Sequence, residues 1–331
     1  MKETERGRSD VDYIVLDLEW NQSPRGKSGE RYGLPFEIIE IGAVKLDESR
    51  RVCGQFNERI RPAVYRQFHY KTKEILQIDM KELDEARSFK EVAQDFFDWC
   101  GQEYVLCTWG SMDLTELQRN LRYFRVENPM KKPLLYYDIQ KLFSLLYEDG
   151  KSRRSLKDAV EYLKIEEDIP FHRALDDTLY TAKIMEKMDM DAVRQYLSVD
   201  YFHVPGKKEE ELHMVFDGYA KDVFRIFPTK EHLMEDKEIV STKCYRCKRS
   251  LRKKVRWFLA GGRNYLCLAF CPEHGYMKGK LRIKKAERGG VFAVKTLKLI
   301  SEEEAESVRE KKKEQEKKRR AKNKAAKKTA D

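Results

Sequence analysis

The sequence predicts an α/β domain with a mixed sheet flanked by helices, followed by a smaller β-rich basic domain and a charged tail. Three observations carry that expectation. Strand-like apolar runs open the chain in succession and then alternate with amphipathic helical segments. Charge divides along the chain: residues 1–236 hold 37 Lys+Arg against 46 Asp+Glu, residues 237–300 hold 18 against 3, and residues 301–331 hold 12 against 8. Four of the seven cysteines fall between 244 and 271.

The elements follow in order. "YIVLDLEW" (13–20) reads as a buried strand, and the polar loop "NQSPRGKSGERYGLP" follows it. "FEIIEIGAVKL" (36–46) and "VCGQFNERI" (52–60), joined by the charged turn "DESR", read as two further strands of a meander. "SFKEVAQDFFDWCG" (88–101) has helical periodicity and a glycine stop. "YVLCTWG" (104–110) is a short buried strand, "DLTELQRNLRYF" (113–124) an amphipathic helix and "PLLYYDI" (133–139) another strand. Helical patterns follow around 138–147, 155–163 and 174–188. The expected domains are 10–195, a linker at 196–211 containing "PGKKEEE", a basic domain at 212–300 and a charged Lys-rich tail at 301–331, whose part from 309 onward has no core-forming stripe and reads as a solvated helix or as disordered.

The bulk composition narrows the function. A 41% hydrophobic share supports globular cores, and 331 residues are enough for two domains. No apolar run approaches the ~18–20 residues of a membrane span. The opening "MKETERGRSD" lacks the apolar centre of a signal peptide. The expected setting is the cytoplasm, where cysteines are not read first as disulfides. An acidic body joined to a basic module suggests that one part holds metal and the other a polyanion.

Asp17 and Glu19 pose the sharpest question. Residues two apart in a strand share a face, so two like charges leave an apolar strand together. One reading is a strand fraying into water. The other is a divalent cation, which removes both the repulsion and the desolvation cost. Asp113 lies past the end of a strand and at the start of a helix, where α/β sites form and where an acid also suits the helix dipole. In "HRALDDTLYTAKIMEKM" (172–188), ~100° per residue puts Asp176 beside Lys183 and Lys187. It puts Asp177 with Thr181, Ile184 and Met188 on the inward arc. His172 precedes the first turn.

Asp17-x-Glu19, Asp113, and His172 with Asp177 resemble, in order and spacing, the DEDDh 3′→5′ exonucleases. "DLEWN", "EIIEIGAV", "TWGSMDL" and "HRALDD" carry the resemblance across roughly residues 10–190. The "WG-x-x-D" form is closer to the Eri-type exoribonucleases and KapD-like bacterial proteins than to proofreading enzymes. The resemblance implies a ribonuclease H-like fold with a five-stranded sheet, and two Mg²⁺ or Mn²⁺ ions. It gives Asp17 the bridging position, Glu19 and Asp177 the first metal, Asp113 the second through water, and His172 the general base. It implies release of 5′-nucleoside monophosphates from single-stranded nucleic acid or a 3′ overhang, RNA favoured. Single-stranded DNA hydrolysis is the alternative activity, and a non-catalytic RNA- or protein-binding regulator the alternative class. Trp20, Asn21, Leu34 and Phe36 are candidates for the terminal nucleotide pocket or for plain packing.

Cys244-x-x-Cys247 and Cys271-x-x-His274 form two pairs with the spacing of a tetrahedral zinc site, and Cys267 is the alternative ligand. The segment between them reads as a hairpin with a Gly-Gly turn, so the module resembles a zinc ribbon holding one Zn²⁺. Cys53, Cys100 and Cys107 are expected as buried apolar side chains. "KRSLRKKVRW" and "KGKLRIKKAER", with Trp257, Phe258, Tyr265 and Tyr276 among or near them, suit phosphate contacts and base stacking. An acidic protein partner fits the same charge.

Overall fold

The computed structural model describes residues 12–76, 78–286 and 289–328. The chain splits into two compact units, one ending at Phe202 and one beginning at His203. The first contains β1 (Asp12–Gln22), β2 (Phe36–Leu46), β3 (Val52–Arg59), α1 (Tyr70–Leu76), α2 (Met80–Asp84), α3 (Phe89–Cys100), β4 (Tyr104–Thr108), α4 (Met112–Tyr123), β5 (Leu135–Asp138), α5 (Ile139–Tyr147), α6 (Leu156–Tyr162), α7 (Ala174–Lys187), α8 (Met190–Val193) and β6 (Ser198–Val199). The sheet order is β3-β2-β1-β4-β5-β6. β1 to β3 pair antiparallel, β4 and β5 join β1 in parallel, and β6 closes the edge antiparallel. The five expected strands are therefore joined by a sixth of two residues, too short for any alternation to announce it.

β1 sorts the two cores. Ile14, Leu16 and Leu18 pack with α3 and α4 on one face. Val15 packs with α5, α6 and α7 on the other. The same alternation turns Asp17 and Glu19 toward α7. Serine starts α3 because Ser88 and Glu91 form a reciprocal capping box, and Gly101 ends it with φ 83°. α1 and α2 escape sequence periodicity because they are only 7 and 5 residues long.

α7 lies on β2 with almost no clearance. A Cβ on Gly42 would stand 2.2 Å from both the Ala174 carbonyl carbon and the Leu175 nitrogen. Gly42 pairs with Asp17 across the ladder, so the missing side chain lets the first turn of α7 come down beside the β1 acids. Arg173 then ties the helix entry to the same strand. Its guanidinium donates to the fully buried Glu40 carboxylate at 3.1–3.3 Å. Glu40 is fully buried while Arg173 keeps 29% of its side chain exposed, so removing Arg173 is the costlier change, because it strands a buried charge.

The second unit contains β7 (Leu212–Val215), β8 (Tyr219–Val223), α9 (Lys230–Glu235), α10 (Lys237–Val240), β9 (Arg252–Gly261), β10 (Asn264–Cys271), β11 (Gly275–Lys285), β12 (Val291–Leu299) and α11 (Glu302–Lys328). Its six strands run β7-β8-β12-β11-β10-β9, all antiparallel. Leu233 and Ile239 of α9 and α10 pack against Leu281, Ile283 and Ala293 of the sheet. The expected Gly-Gly hairpin is β9–β10. One expectation changes. The segment 196–211 is not one linker: it contains β6, and the unit boundary crosses it at Phe202. The start of α11, ahead of the stretch from 309, is anchored: Ala305 and Val308 are buried with Phe258, Leu266 and Leu268. A single i, i+3 pair is too brief to read as a stripe. Among the described residues no helix is long and apolar enough to cross a membrane.

Replacing Gly42 by alanine is expected to destabilise the protein by about 1–3 kcal/mol through overpacking, read as a lower urea midpoint. Gly54→Ala is the control. Its Cβ would meet Trp99 at 3.5 Å, an ordinary contact, and its midpoint should stay near that of the parent.

Candidate active site and metal centre

Asp17 and Glu19 come from β1, Asp177 from the first turn of α7 and Asp113 from the first turn of α4. Oxygens of Asp17, Glu19 and Asp177 all lie within 4.8 Å of one another. Asp113 is not part of that trio, but its charge acts on Asp17, and its carboxylate accepts the Leu18 N–H. β1 pairs with β4 only as far as Val15, and beyond that point the helix acid serves the strand's backbone. The register of β1 against β2 shifts between Glu19 and Trp20, which re-aims the strand just past the acids.

The acids destabilise one another's charged forms. Burial first, then the charges of Asp113, Glu19 and Asp177, push the Asp17 carboxyl well above its usual range. Burial, with Asp177 and Glu40 next, pushes Glu19 up to about 8, against the pull of Arg173. Burial raises Asp113 to about 7 and Asp177 to about 6, although backbone N–H groups favour both carboxylates. Asp177 Oδ1 is buried with no hydrogen-bond partner. An orphaned anionic oxygen beside two further carboxylates fits a hard divalent cation, so the donor set suits the metals that the motif implies.

His172 is exposed, lines the same cleft as the acids and has φ 70°, a left-handed conformation in which histidine is over-represented. Its backbone N–H donates to the Asp177 carboxylate, which couples the histidine's placement to the acid. Asp176, half-buried like Asp177, stands outside the trio.

The cleft holds about 440 Å³, and its walls include Trp20, Ile75, Trp109, Met112 and Leu156. The four nucleotide-pocket candidates divide. Trp20 lines the cleft, and Phe36 packs on Trp20 at 5.5 Å between ring centres. Leu34 and Asn21 are fully buried and do not line it. Asn21 donates to the carbonyls of Tyr65 and Gln67 and accepts the His69 N–H, so it organises a loop. Sequence reading did not single out Ile75, Trp109, Met112 and Leu156 as cleft walls, because they come from three separate segments. It also missed Arg173 and Glu40, although an acid inside "EIIEIGAV" was a signal.

In the second unit, Cys244, Cys247, Cys271 and His274 present donor atoms all within 4.8 Å of one another. Cys244 Sγ and Cys271 Sγ stand 3.7 and 3.6 Å from His274 Nδ1, and Cys247 Sγ stands 3.7 Å from Cys271 Sγ. Bond lengths of ~2.3 Å to sulfur and ~2.0 Å to nitrogen give tetrahedral edges of about 3.5–3.8 Å, so the set is compatible with zinc. Lys248, at φ 59°, and Gly275, at φ 85°, make the turns that close the two loops. Cys267 is outside the cluster. It is fully buried, its sulfur fills the space left by Gly279, and burial pushes its thiol up to about 11. Cys100 and Cys107 are buried as expected, whereas Cys53 is exposed because the face of β3 that carries it is open.

The raised carboxyl pKa values make a stability prediction for metal-free protein. A group that binds its proton more tightly when folded stabilises the fold below its unfolded pKa, and that stability is lost as pH rises through the folded value. Metal-free protein should therefore lose thermal stability between about pH 4 and pH 8. Mg²⁺ or Mn²⁺ should raise the melting temperature more at pH 8 than at pH 5. Glu19→Gln should flatten both trends in calorimetric scans, and an unchanged pH dependence in that variant would remove Glu19 from the coupled group.

The sequence model of the RNase T exonuclease family matches residues 14–185. The probable 3′-5′ exonuclease KapD of Bacillus subtilis is 27% identical over 185 residues, covering 56% of this chain and 86% of KapD. Mouse 3′-5′ exoribonuclease 1 is 28% identical over 203 residues, covering 58% of this chain and 57% of its own length. Among solved structures, the nuclease domain of 3′hExo, described as a DEDDh family member bound to rAMP, superposes with a TM-score of 0.48 at 22% identity. That superposition covers 58% of this chain and 98% of that one. The family match takes in more than half of the chain and all four acids with His172, and the protein belongs to the RNase T exonuclease family.

Proposed function

We propose that the protein is a divalent-metal-dependent 3′→5′ exoribonuclease that releases 5′-nucleoside monophosphates from single-stranded RNA or a 3′ overhang. The observation that carries this reading is the Asp17, Glu19 and Asp177 trio around an orphaned Asp177 oxygen. The exoribonuclease relatives support RNA over DNA. Two Mg²⁺ or Mn²⁺ ions held by Asp17, Glu19 and Asp177, with Asp113 supporting the second, would supply the positive charge that a phosphodiester and its transition state require. The chain's own residues do the rest. His172, at the mouth of the cleft, takes the proton of the attacking water. Arg173 and Glu40 hold that histidine's segment on β2. Trp20, Met112 and Ile75 give the terminal base apolar walls, which bind without reading sequence.

The second unit is read as a zinc-stabilised nucleic-acid-binding module. Its ligand geometry supports zinc, and its charge supports a polyanion. The Cys244, Cys247, Cys271 and His274 set holds the ion, and Cys267 does not.

The activity test uses a 5′-labelled single-stranded RNA, the matching DNA, and a stem-loop with a 3′ overhang, each with Mg²⁺, Mn²⁺ or EDTA. Stepwise shortening from the 3′ end, faster on RNA and absent in EDTA, is the expected result. Asp17→Ala and Asp177→Asn should abolish it and Asp176→Asn should keep most of it. His172→Ala should slow turnover by roughly 10²–10⁴-fold. Equal loss in the Asp176 and Asp177 variants would overturn the assignment.

Elemental analysis should find about one zinc per chain in purified protein. Cys244→Ser and His274→Ala should lose it and Cys267→Ser should retain it. The reverse pattern would replace the ligand set.

A further inference from the structure

β1 continues past the acids into a loop that, with residues 64–67, encloses a second cleft of about 510 Å³. Arg25, Arg31 and Arg66 line it, with Glu30 as the acid among its walls. Among the described residues these three arginines make no ion pair, whereas Arg59, Arg87, Arg154 and Arg173 of the same unit do. Arg66 acts electrostatically on the buried Glu37 carboxylate, but none of the three is in ion-pair contact with an acid, and three guanidinium groups lining one cleft in this way suit phosphate oxygens.

The cleft is built rather than incidental. The buried Glu37 carboxylate accepts the N–H groups of Ala63 at 2.6 Å, Val64 at 3.0 Å and Tyr65 at 2.6 Å. Asn21 holds Tyr65 and Gln67 by their carbonyls at 2.9 and 3.0 Å. The Tyr65 hydroxyl accepts the Arg31 N–H at 2.8 Å and donates to the Leu34 carbonyl at 2.6 Å. One tyrosine thus ties the Arg31 loop to the Arg66 loop, and buried polar groups fix both. Asn21 is two residues beyond Glu19, so a single strand organises this cleft and the acids.

Two exposed rings follow the lining residues in the chain. Tyr32, 96% exposed, is next to Arg31, and Tyr70, 67% exposed, lies three residues past Gln67 and sits tilted against His69 at 4.4 Å. Cations with open aromatic faces are the requirements of a single strand, which offers phosphates and base faces together. A free anion would use only the first. Six residues of strand separate Asp17 from Ser23 on the cleft wall, a reach of about 20 Å, or several nucleotides.

We infer that this cleft is a subsite for single-stranded RNA upstream of the nucleotide being cut, with Arg25, Arg31 and Arg66 on its phosphates and Tyr32 and Tyr70 on its bases. The inference rests on the exoribonuclease reading for its substrate. The test neutralises all three arginines, Arg25→Gln, Arg31→Gln and Arg66→Gln, in the full chain. It compares kcat/KM on a dinucleotide and on a ten-nucleotide RNA. The preference for the longer substrate should fall at least about tenfold, mainly through KM. With ~0.7 per lost contact for single strands, the log–log salt slope of ten-mer binding should shrink by about 2. Lys81→Gln, Lys90→Gln and Lys164→Gln together make the same charge change elsewhere on this unit and should keep the preference. Tyr32→Ala should weaken ten-mer binding about fivefold or more.

Binding is measured in an Asp17→Ala background, so it is read whether or not the chain cuts RNA. If the parent cuts neither substrate but ten-mer binding still depends on the three arginines, the exoribonuclease reading fails and the subsite stands. Unchanged ten-mer affinity and salt slope in the arginine variant would overturn the inference. An equal loss on dinucleotide and ten-mer, or an equal loss in the lysine variant, would overturn it too.

Discussion

The catalytic unit depends on the near-contact between Gly42 and the first turn of α7. A sheet and a helix normally keep a layer of side chains between them, and here that layer is missing at one point. The backbone of Ala174 and Leu175 rests on β2, so Asp177 arrives at the level of Asp17 rather than a side chain's width above it. Arg173 and Glu40 fix the helix from the side, and His172 adopts a positive φ to enter the turn. The acids could not converge without this approach.

Convergence brings an electrostatic cost that the fold does not relieve internally. Each carboxyl is raised by burial and by its neighbours, and Asp177 keeps a buried oxygen without a donor. A site that stores repulsion between hard oxygen donors is selective for what it will bind, because only a small, doubly charged cation removes desolvation and repulsion together. The same arrangement explains why a single strand carries so much of the site. β1 delivers two acids on one face, Trp20 to the cleft wall and Asn21 to the neighbouring loop.

The second unit solves a different problem. Its sheet has small apolar clusters, and the loops around Cys244–Cys247 and Cys271–His274 contribute Cys244, Tyr245 and Cys271 to one of them, beside Ala220, Met277 and Leu297. The four-donor cluster sits in the same loops. A metal held there would fix two tight loops at one end of the sheet while the rest of the surface carries a dense positive charge.

What the sequence by itself determined was whatever is local or periodic. Strand alternation put Asp17 and Glu19 on one face, helical phase separated Asp177 from Asp176, and paired x-x spacing put Cys244, Cys247, Cys271 and His274 forward as a set, with Cys267 left as an alternative. These features survive folding because backbone geometry fixes them within a few residues. The tertiary structure decided what depends on distant segments meeting. Asn21 and Leu34 became buried framework because the 63–69 loop and Tyr65 close over them. Gly42 became a contact point because a helix more than a hundred residues later lands on it. Two residues at 198–199 became a strand because β5 offered an open edge, and Ala305 and Val308 became core because β9 and β10 left an apolar face uncovered. In each case the chain alone shows the residue, and only the partner brought to it by folding decides its role.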